Sequence, residues 1–463
     1  MPIQLYNSLS RAVEPFIPRD DKKVNMFVCG PTVYDYIHLG NARTFAVFDF
    51  LVRWLRHREY NVTYLQNITD IDDHILRKAA DLRVPWKDIA DQYTAAYLDD
   101  IKALGCNEVT TYARATDYIP QVIAQVKTLI TKGNAYRIEG DGWYFDLSTF
   151  PDYGKLSGRT AALAEDAVSR IDDSSKKRNT GDFCVWKFSK PGEPSWEDAE
   201  LGAGRPGWHI EDTAITEAVF GPQYDLHGGG IDLKFPHHEA EIAQQEAASG
   251  KVPFVRHWMH VGFLEISSRK MSKSVGNIDR LRDVLTRYPV EAVRFFLLSG
   301  HYRAPLDYSP QSMDAAAAAV QRISEVLAKL AHMPESDSTV DLVPQIDAAE
   351  TAIFEALDDD LNVPVAIATF FALISQVNRM IPGGLSDASR RHLNRFFTQM
   401  GACFGFIPAR EEAVPPDVRM LLDQRQVARE AKDYKASDQI RDQLAQMGYT
   451  VDDTTYGPLV KRR

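Results

Sequence analysis

The 463-residue sequence is poor in cysteine. Cys29, Cys106, Cys184 and Cys403 lie far apart, with no CxxC among them, a usage that suits a reducing compartment and predicts no disulfide. No internal repeat is visible, and no segment approaches the roughly 18 unbroken apolar residues of a membrane helix. The opening residues, MPIQLYNSLSRAVEPF, lack the apolar stretch of a secretory signal, so a cytoplasmic protein with no membrane partner is expected. Positive charge is also in short supply, with 53 Lys and Arg against 64 Asp and Glu and a net charge of −11. That argues against a blanket affinity for nucleic acid and leaves room for a local basic track. The rest is ordinary for a globular chain, 44% hydrophobic and 25% charged, with length for two to four domains.

Val24 to Val28 is a short apolar strand candidate. It is followed by a Cys29-Gly30-Pro31-Thr32 loop and an amphipathic helix over Ala42 to Leu55, and Val62 to Leu65 reads as the next strand. Strand, helix, strand is one βαβ unit of a parallel sheet. Such sheets bind ligands at the carboxyl ends of their strands, where Cys29, His38 and Thr69 would then cluster. Residues 118 to 204 change character, with a helix near Ile119 to Lys132, a strand-like GWYFDL and a polar DDSSKKRNTGD tract. They read as an insertion between two halves of the sheet domain, 1 to 117 and 205 to 310. A helical region, 311 to 410, follows from Met313, where Asp314 precedes five alanines. Glu411 to Asp417, with Pro415-Pro416, reads as a linker opening a small unit, 411 to 463, that ends in Lys461-Arg462-Arg463.

Three stretches carry chemistry. In FPHHEAEIAQQE, residues 235 to 246, a helix puts His237 and Glu241 on one face and turns His238 away; such a pair is a metal-ligand pair or a solvated one. PTVYDYIHLGN, residues 31 to 41, sits between strand and helix, where a His and a Gly at a helix N-terminus can face a phosphate. KMSKS, Lys270 to Ser274, offers two lysines three apart in a Ser/Gly-rich loop that can neutralise a polyphosphate. In this order on a parallel-sheet pattern, the last two resemble the two signatures of class I aminoacyl-tRNA synthetases. MFVCGPTVYDYIHLGN, NITDIDDHI, GRPGWHIE, HGGGIDLKFPHHEAEIAQ and AREAKDYKASDQIRDQL extend the resemblance over nearly the whole chain, to the cysteinyl-tRNA synthetases.

That resemblance implies an α/β Rossmann-type catalytic domain with an inserted connective region, then a helical bundle and an anticodon-binding C-terminal domain. It implies ATP, L-cysteine and tRNA(Cys) as partners, a monomer, Mg²⁺ with ATP, and one zinc. The zinc ligands carried over are Cys29, Asp212, His237 and Glu241, with Asp212 in GWHIEDTAI standing where the family has a second cysteine; aspartate can ligate zinc through oxygen and makes the site harder. His38, Gly40, Asn41, Gly229, Asp232, Lys270 and Lys273 fall to ATP, and of these His38, Asn41, Lys270 and Lys273 are the catalytic set. Asn41 replaces a common His and keeps a donor without its charge. Thr69, Trp208 and Asp232 line the amino-acid or adenosine pocket, with Gly228 to Gly230 giving close backbone approach. Arg429, Tyr434 and Asp438 read the anticodon, Tyr434 standing where the family shows Trp, while Lys461, Arg462 and Arg463 touch phosphate.

Three alternatives stand beside this reading. A mycothiol-pathway cysteine ligase shares the catalytic core and lacks the anticodon domain, so residues 411 to 463 count against it. A tRNA-binding paralogue with altered activation is suggested by Asn41 and Asp212, and opposed by His38 and KMSKS. Persulfide formation on pyridoxal phosphate is disfavoured because HILR, with His74 and Arg77, stands where the family has KIIK.

Overall fold

The computed structural model describes residues 2–159, 176–266, 269–271, 278–333, 340–408, 415–454 and 457–462. The chain divides into two compact units, Met1–Met313 with Ala356–Pro364, and Asp314–Glu355 with Val365–Arg463.

The first unit is built on five parallel strands, β1 (Lys23–Val28), β2 (Asn61–Ile68), β3 (Thr111–Arg114), β4 (Tyr224–Gly230) and β5 (Val255–Val261), in spatial order β5-β4-β1-β2-β3. The chain starts at β1 in the middle, runs out to β3 on one side and returns to β4 and β5 on the other. The gap between β1 and β4 is therefore the switch point where such sheets take ligands. Both faces are covered, which is why the strands read as apolar runs: Phe27, Leu65, Tyr224 and Val255 are all fully buried. α1 (Leu39–His57) lies on one face with thirteen residues buried, Phe48 and Trp54 among them. It starts at Leu39, three residues before the expected Ala42, with His38 as its N-cap.

Between β3 and β4 stands a four-stranded antiparallel sheet of Ala135–Ile138, Gly142–Phe145, Phe183–Phe188 and Gly204–Pro206, preceded by the helix Ile119–Thr131. Val126, Leu129, Phe145 and Trp186 of this part share one core with Ile210, Ala240 and Ala243 from helices of the parallel-sheet part. α2 (Asp73–Leu82) is tied to it through Asp73, which pairs with Lys187 at 2.9 Å and also with Arg205.

In the second unit the alanine run is helical, as read. The helix spans Pro310–His332 and starts before Asp314, because Ser309 Oγ accepts from the Ser312 N–H at 3.1 Å with proline in the first turn. Val363–Met380 is followed by a 3₁₀ turn, and Val363–Gly383 is long and apolar enough by length and composition to cross a membrane, which the sequence reading did not foresee. Its apolar residues form a stripe, with Phe370, Leu373, Ile374 and Val377 buried and Ser375 exposed, the pattern of a helix packed in a bundle. The last part comprises α5 (Pro416–Glu430), α6 (Tyr434–Gln446) and a hairpin of Tyr449–Thr454 with Gly457–Arg462. Val418, Leu422, Leu444, Val451 and Val460 form its core. Helix begins directly at Pro416, the second proline of the expected linker.

Candidate functional site

The carboxyl ends of β1, β2 and β4 open on a cleft of about 390 Å³. Its lining includes Cys29, His38, Gly40, Asn41, Thr69, Trp208, Asp212, Asp232, His237 and Lys270, so residues spread over 240 positions of sequence converge at the switch point. Gly229 stands behind the lining against the His238 ring, which a Cβ would meet at 2.9 Å; Gly230 lines the cleft instead. Lys273 lies outside the described residues.

At the start of α1, His38 is the N-cap and its ring accepts from the Asn41 N–H, while Asn41 Oδ1 accepts from the His38 N–H, both at 3.3 Å. Gly40 permits this fold-over, since a Cβ there would sit 2.8 Å from the imidazole. Lys270 Nζ is 2.9 Å from Asp232 Oδ2 and lies 4.5 Å over the Phe263 ring.

The opposite wall is buried and anionic. Cys29 follows β1, Asp212 lies in the first turn of α3 (Ile210–Phe220), and His237 and Glu241 stand four apart on α4 (His237–Ser249). His237 Nε2 is 3.0 Å from Asp212 Oδ2 and 2.9 Å from Glu241 Oε1, and Cys29 Sγ is 3.4 Å from Asp212 Oδ2. Asn67 Nδ2 donates to Asp212 Oδ1 at 2.5 Å while Asn67 Oδ1 receives the Gly30 N–H at 2.6 Å; the aspartate is thereby oriented with its other oxygen toward Cys29 and His237. Trp208 stacks on His237 with centroids 4.6 Å apart, and Thr69 donates to Glu211.

Burial, then the charges of Glu241 and Asp212, push the Cys29 thiol well above its usual range. Burial also raises Glu241 to about 7, with His237 opposing and Asp212 adding. Burial disfavours the charged form of His237, but Glu241 and Asp212 outweigh it and hold the imidazole up to about 10. A thiol and several carboxyls thus share one dry space with a single favoured imidazolium, an arrangement that a further cation would stabilise. The four donor atoms of Cys29, Asp212, His237 and Glu241 lie within 4.8 Å of one another, and Glu241 Oε2 is buried without a hydrogen bond. Sulfur, nitrogen and two carboxylates at this spacing fit a divalent metal.

The sequence reading missed the rest of this wall. Asn67, Glu211, His209, His227 and His260 are all buried here. Each histidine stood in view, in GWHIE, in HGGG and at the end of WMH. The usable signal was that His227 and His260 fall on strands of the parallel sheet near their carboxyl ends.

In the second unit Arg429 closes α5 and Tyr434 opens α6. Tyr434 is 63% exposed, and Asp438, one turn on, is exposed and pairs with Arg441 at 3.2 Å. The side chains of Lys461 and Arg462, and all of Arg463, lie outside the described residues.

Residues 15–318 match the family of class I (C) tRNA synthetase catalytic domains, residues 352–408 the DALR domain, and residues 411–456 the cysteinyl-tRNA ligase anticodon binding domain. The chain is 44% identical over 488 residues to a cysteine–tRNA ligase of Trichlorobacter lovleyi, covering 99% of each chain. It is 41% identical over 467 residues to one of Symbiobacterium thermophilum, again covering 99% of each. Among solved structures it resembles Mycobacterium tuberculosis methionyl-tRNA synthetase in complex with methionyl-adenylate, at a TM-score of 0.61 and 17% identity over 82% of this chain and 89% of that one. The LeuRS of Agrobacterium radiobacter K84 in a ternary complex gives a TM-score of 0.62 at 11% identity, covering 85% of each chain; both likenesses concern the fold. With a catalytic-domain match across 15–318 and full-length relatives at 41 to 44% identity, the chain belongs to the cysteine–tRNA ligases, a family of class I tRNA synthetases.

Proposed function

We propose that the chain activates L-cysteine with ATP and passes it to the terminal adenosine of tRNA(Cys). The observation that carries this reading is the single cleft shared by the α1 N-terminus, Lys270 and the Cys29, Asp212, His237 wall. In the first step a carboxylate oxygen of cysteine attacks the α-phosphorus of ATP and the bond to pyrophosphate breaks. In the second, a ribose hydroxyl of tRNA attacks the carbonyl carbon and AMP leaves. Neither step needs a covalent bond to the protein, so positioning and charge stabilisation must supply the rate.

His38, Asn41 and the N-terminal end of α1 take phosphate oxygens. Lys270, exchanging Asp232 for phosphate, neutralises developing charge together with Lys273 and Mg²⁺. Thr69 and Trp208 border the amino acid, and Asp232 the adenosine. Cys29, Asp212, His237 and Glu241 would hold zinc, which when bound supplies a Lewis acid favouring a thiol that ionises over the hydroxyl of serine. Arg429, Tyr434 and Asp438 read the anticodon; the exposure of Tyr434 beside the α5–α6 turn supports a stacking role. The proposed division is a catalytic domain over 1–117 and 205–310, an insertion over 118–204, a bundle over 311–410 and an anticodon domain over 411–463. We further propose that the protein works as a cytoplasmic monomer.

Amino-acid-dependent exchange between ATP and pyrophosphate, run with all twenty amino acids on protein of measured metal content, tests the activation step. Exchange with cysteine, and with serine slower by about 10²-fold or more, is expected. Exchange with no amino acid would reduce the chain to a tRNA-binding paralogue.

A further inference from the structure

Lys270 belongs to a small sheet of three strands, Arg269–Lys270, Leu264–Ile266 and Leu306–Asp307, in that spatial order. Glu265 pairs with Lys270 on one side and with Asp307 on the other, so Lys270 stands where the last strand puts it. That strand is entered from the turn 301–304, which is held from two directions. From the α1 side, Arg43 donates to the carbonyls of His301 and Ala304 at 3.1 and 2.8 Å. From the other comes Asp360.

Asp360 lies in the turn between the helices Val343–Asp358 and Val363–Met380, in the stretch Ala356–Pro364 that belongs with the parallel sheet. Its side chain is 5% exposed and takes four donors. Oδ1 accepts from the Tyr6 N–H at 2.8 Å and from the Tyr302 hydroxyl at 2.5 Å. Oδ2 accepts from Arg303 Nε at 2.8 Å and pairs with Arg303 Nη2 at 2.5 Å, the short contacts of charged partners. Beyond the turn, the Tyr302 carbonyl accepts from the Gly262 N–H at 2.8 Å and the Phe263 carbonyl from the Leu306 N–H at 2.9 Å. Val261 to Leu264 line the cleft. Each link from Asp360 to Lys270 is therefore a hydrogen bond, a strand pairing or the chain itself.

The backbone at Asp360 is held under strain. Asp360 and Leu361 have φ of +54° and +49°, the left-handed region that residues with a side chain keep only where their surroundings hold them. Glycine would satisfy the turn alone; four converging donors require a carboxylate.

We propose that Asp360 is a positioning residue for amino-acid activation: through Tyr302 and Arg303 it fixes the turn 301–304, and with it the strand pairing that sets Lys270 against the phosphates. The inference rests on the reading of Lys270 as a group that neutralises phosphate charge. Asp360 does not line the cleft and touches no substrate; it acts through Lys270.

Cysteine-dependent exchange between ATP and pyrophosphate, scaled to active sites by the burst of adenylate formation, compares wild type, Asp360→Asn, Lys270→Ala and the double variant. In Asp360→Asn kcat should fall about 10-fold or more, the scale of a misplaced group, while the KM for cysteine stays within about 3-fold because the Cys29, Asp212, His237 wall is untouched. In the Lys270→Ala background the same change should cost about 2-fold or less, since two residues acting through one contact do not add. An equal loss in both backgrounds is the mark of a merely structural role and overturns the proposal, as does Asp360→Asn at the wild-type kcat. Arg303→Gln cuts the same contact from a side chain that is 39% exposed, and carries the same expectations where Asp360→Asn fails to fold. Lys270→Ala exchanging at the wild-type rate overturns the reading of Lys270 and the proposal with it, whereas wild type that exchanges with no amino acid overturns the proposed function as well.

Discussion

His38 and Asn41 cap one another: each backbone N–H is taken by the other's side chain, at 3.3 Å both ways. Asn41 therefore serves the helix as well as the ligand. Asn41→Ala removes the acceptor for the His38 N–H and should cost about 1 kcal/mol of stability by urea unfolding, and it should slow cysteine-dependent exchange more than it raises the KM for ATP, because the side-chain amide proposed to meet a phosphate oxygen is lost. Equal stability of the two proteins would show that the cap is immaterial.

Arg43, one residue further into α1 and 0% exposed, donates from Nη1 to the carbonyls of Gly262 and Phe263 at 2.8 Å and from Nη2 to those of His301 and Ala304 at 3.1 and 2.8 Å. It anchors the segment that carries Phe263 beneath Lys270. Arg43→Met fills similar volume but leaves the Gly262 and Ala304 carbonyls without their donor, while Phe263 and His301 keep the N–H groups of Leu306 and Ala304, so a loss of about 2 kcal/mol or more is expected. A melting temperature unchanged within 2 °C (about 1 kcal/mol at this size) contradicts it.

His257 gives the fold an acid limit. Burial, against weaker help from Glu14, holds it down to about 4, and its Nε2 has no hydrogen-bond partner. The unfolded chain takes up a proton near pH 6.5, whereas the folded one resists until about pH 4. The stabilisation is thus fully present above pH 6.5 and is lost as pH falls through the window down to about 4, amounting to about 2 kcal/mol by pH 5. Urea midpoints at pH 7.5 and 5 should converge in His257→Gln relative to wild type; the same pH slope in both proteins would remove His257 from the account.

Asp212 gives the metal-site prediction. Asp212→Cys restores a thiolate to the front wall, so zinc should leave more slowly to a chelator, by about 10-fold or more, with an added sulfur signal on cobalt. An unchanged release rate would mean that position 212 does not reach the metal.

The sequence made the βαβ opening legible because a parallel sheet covered on both faces writes its strands as apolar runs, as Lys23–Val28 and Asn61–Ile68 do. Thr111–Arg114 was not legible: TYAR has no such run, and is a strand through its pairing with Leu65–Ile68. The C-terminal hairpin went unread as well, since YTVDDT and GPLVKR carry little pattern beyond Val451 and Val460, which close the small core. At the site, spacing on one helix was enough to put His237 and Glu241 together. His227 and His238 escaped because what turns them toward Cys29 is the packing of β4, β5 and α4, and their hydrogen-bond partners Tyr224 and His260 are not marked by any motif.

The central claim is that one cleft makes cysteinyl-adenylate and delivers it to tRNA. Transfer of labelled cysteine to tRNA(Cys), read as a base-labile ester at the 3′ end, tests it most directly. The account predicts charging that requires ATP, excludes serine and fails on a tRNA with an altered anticodon. Adenylate formed at full rate with no ester on any tRNA would contradict it.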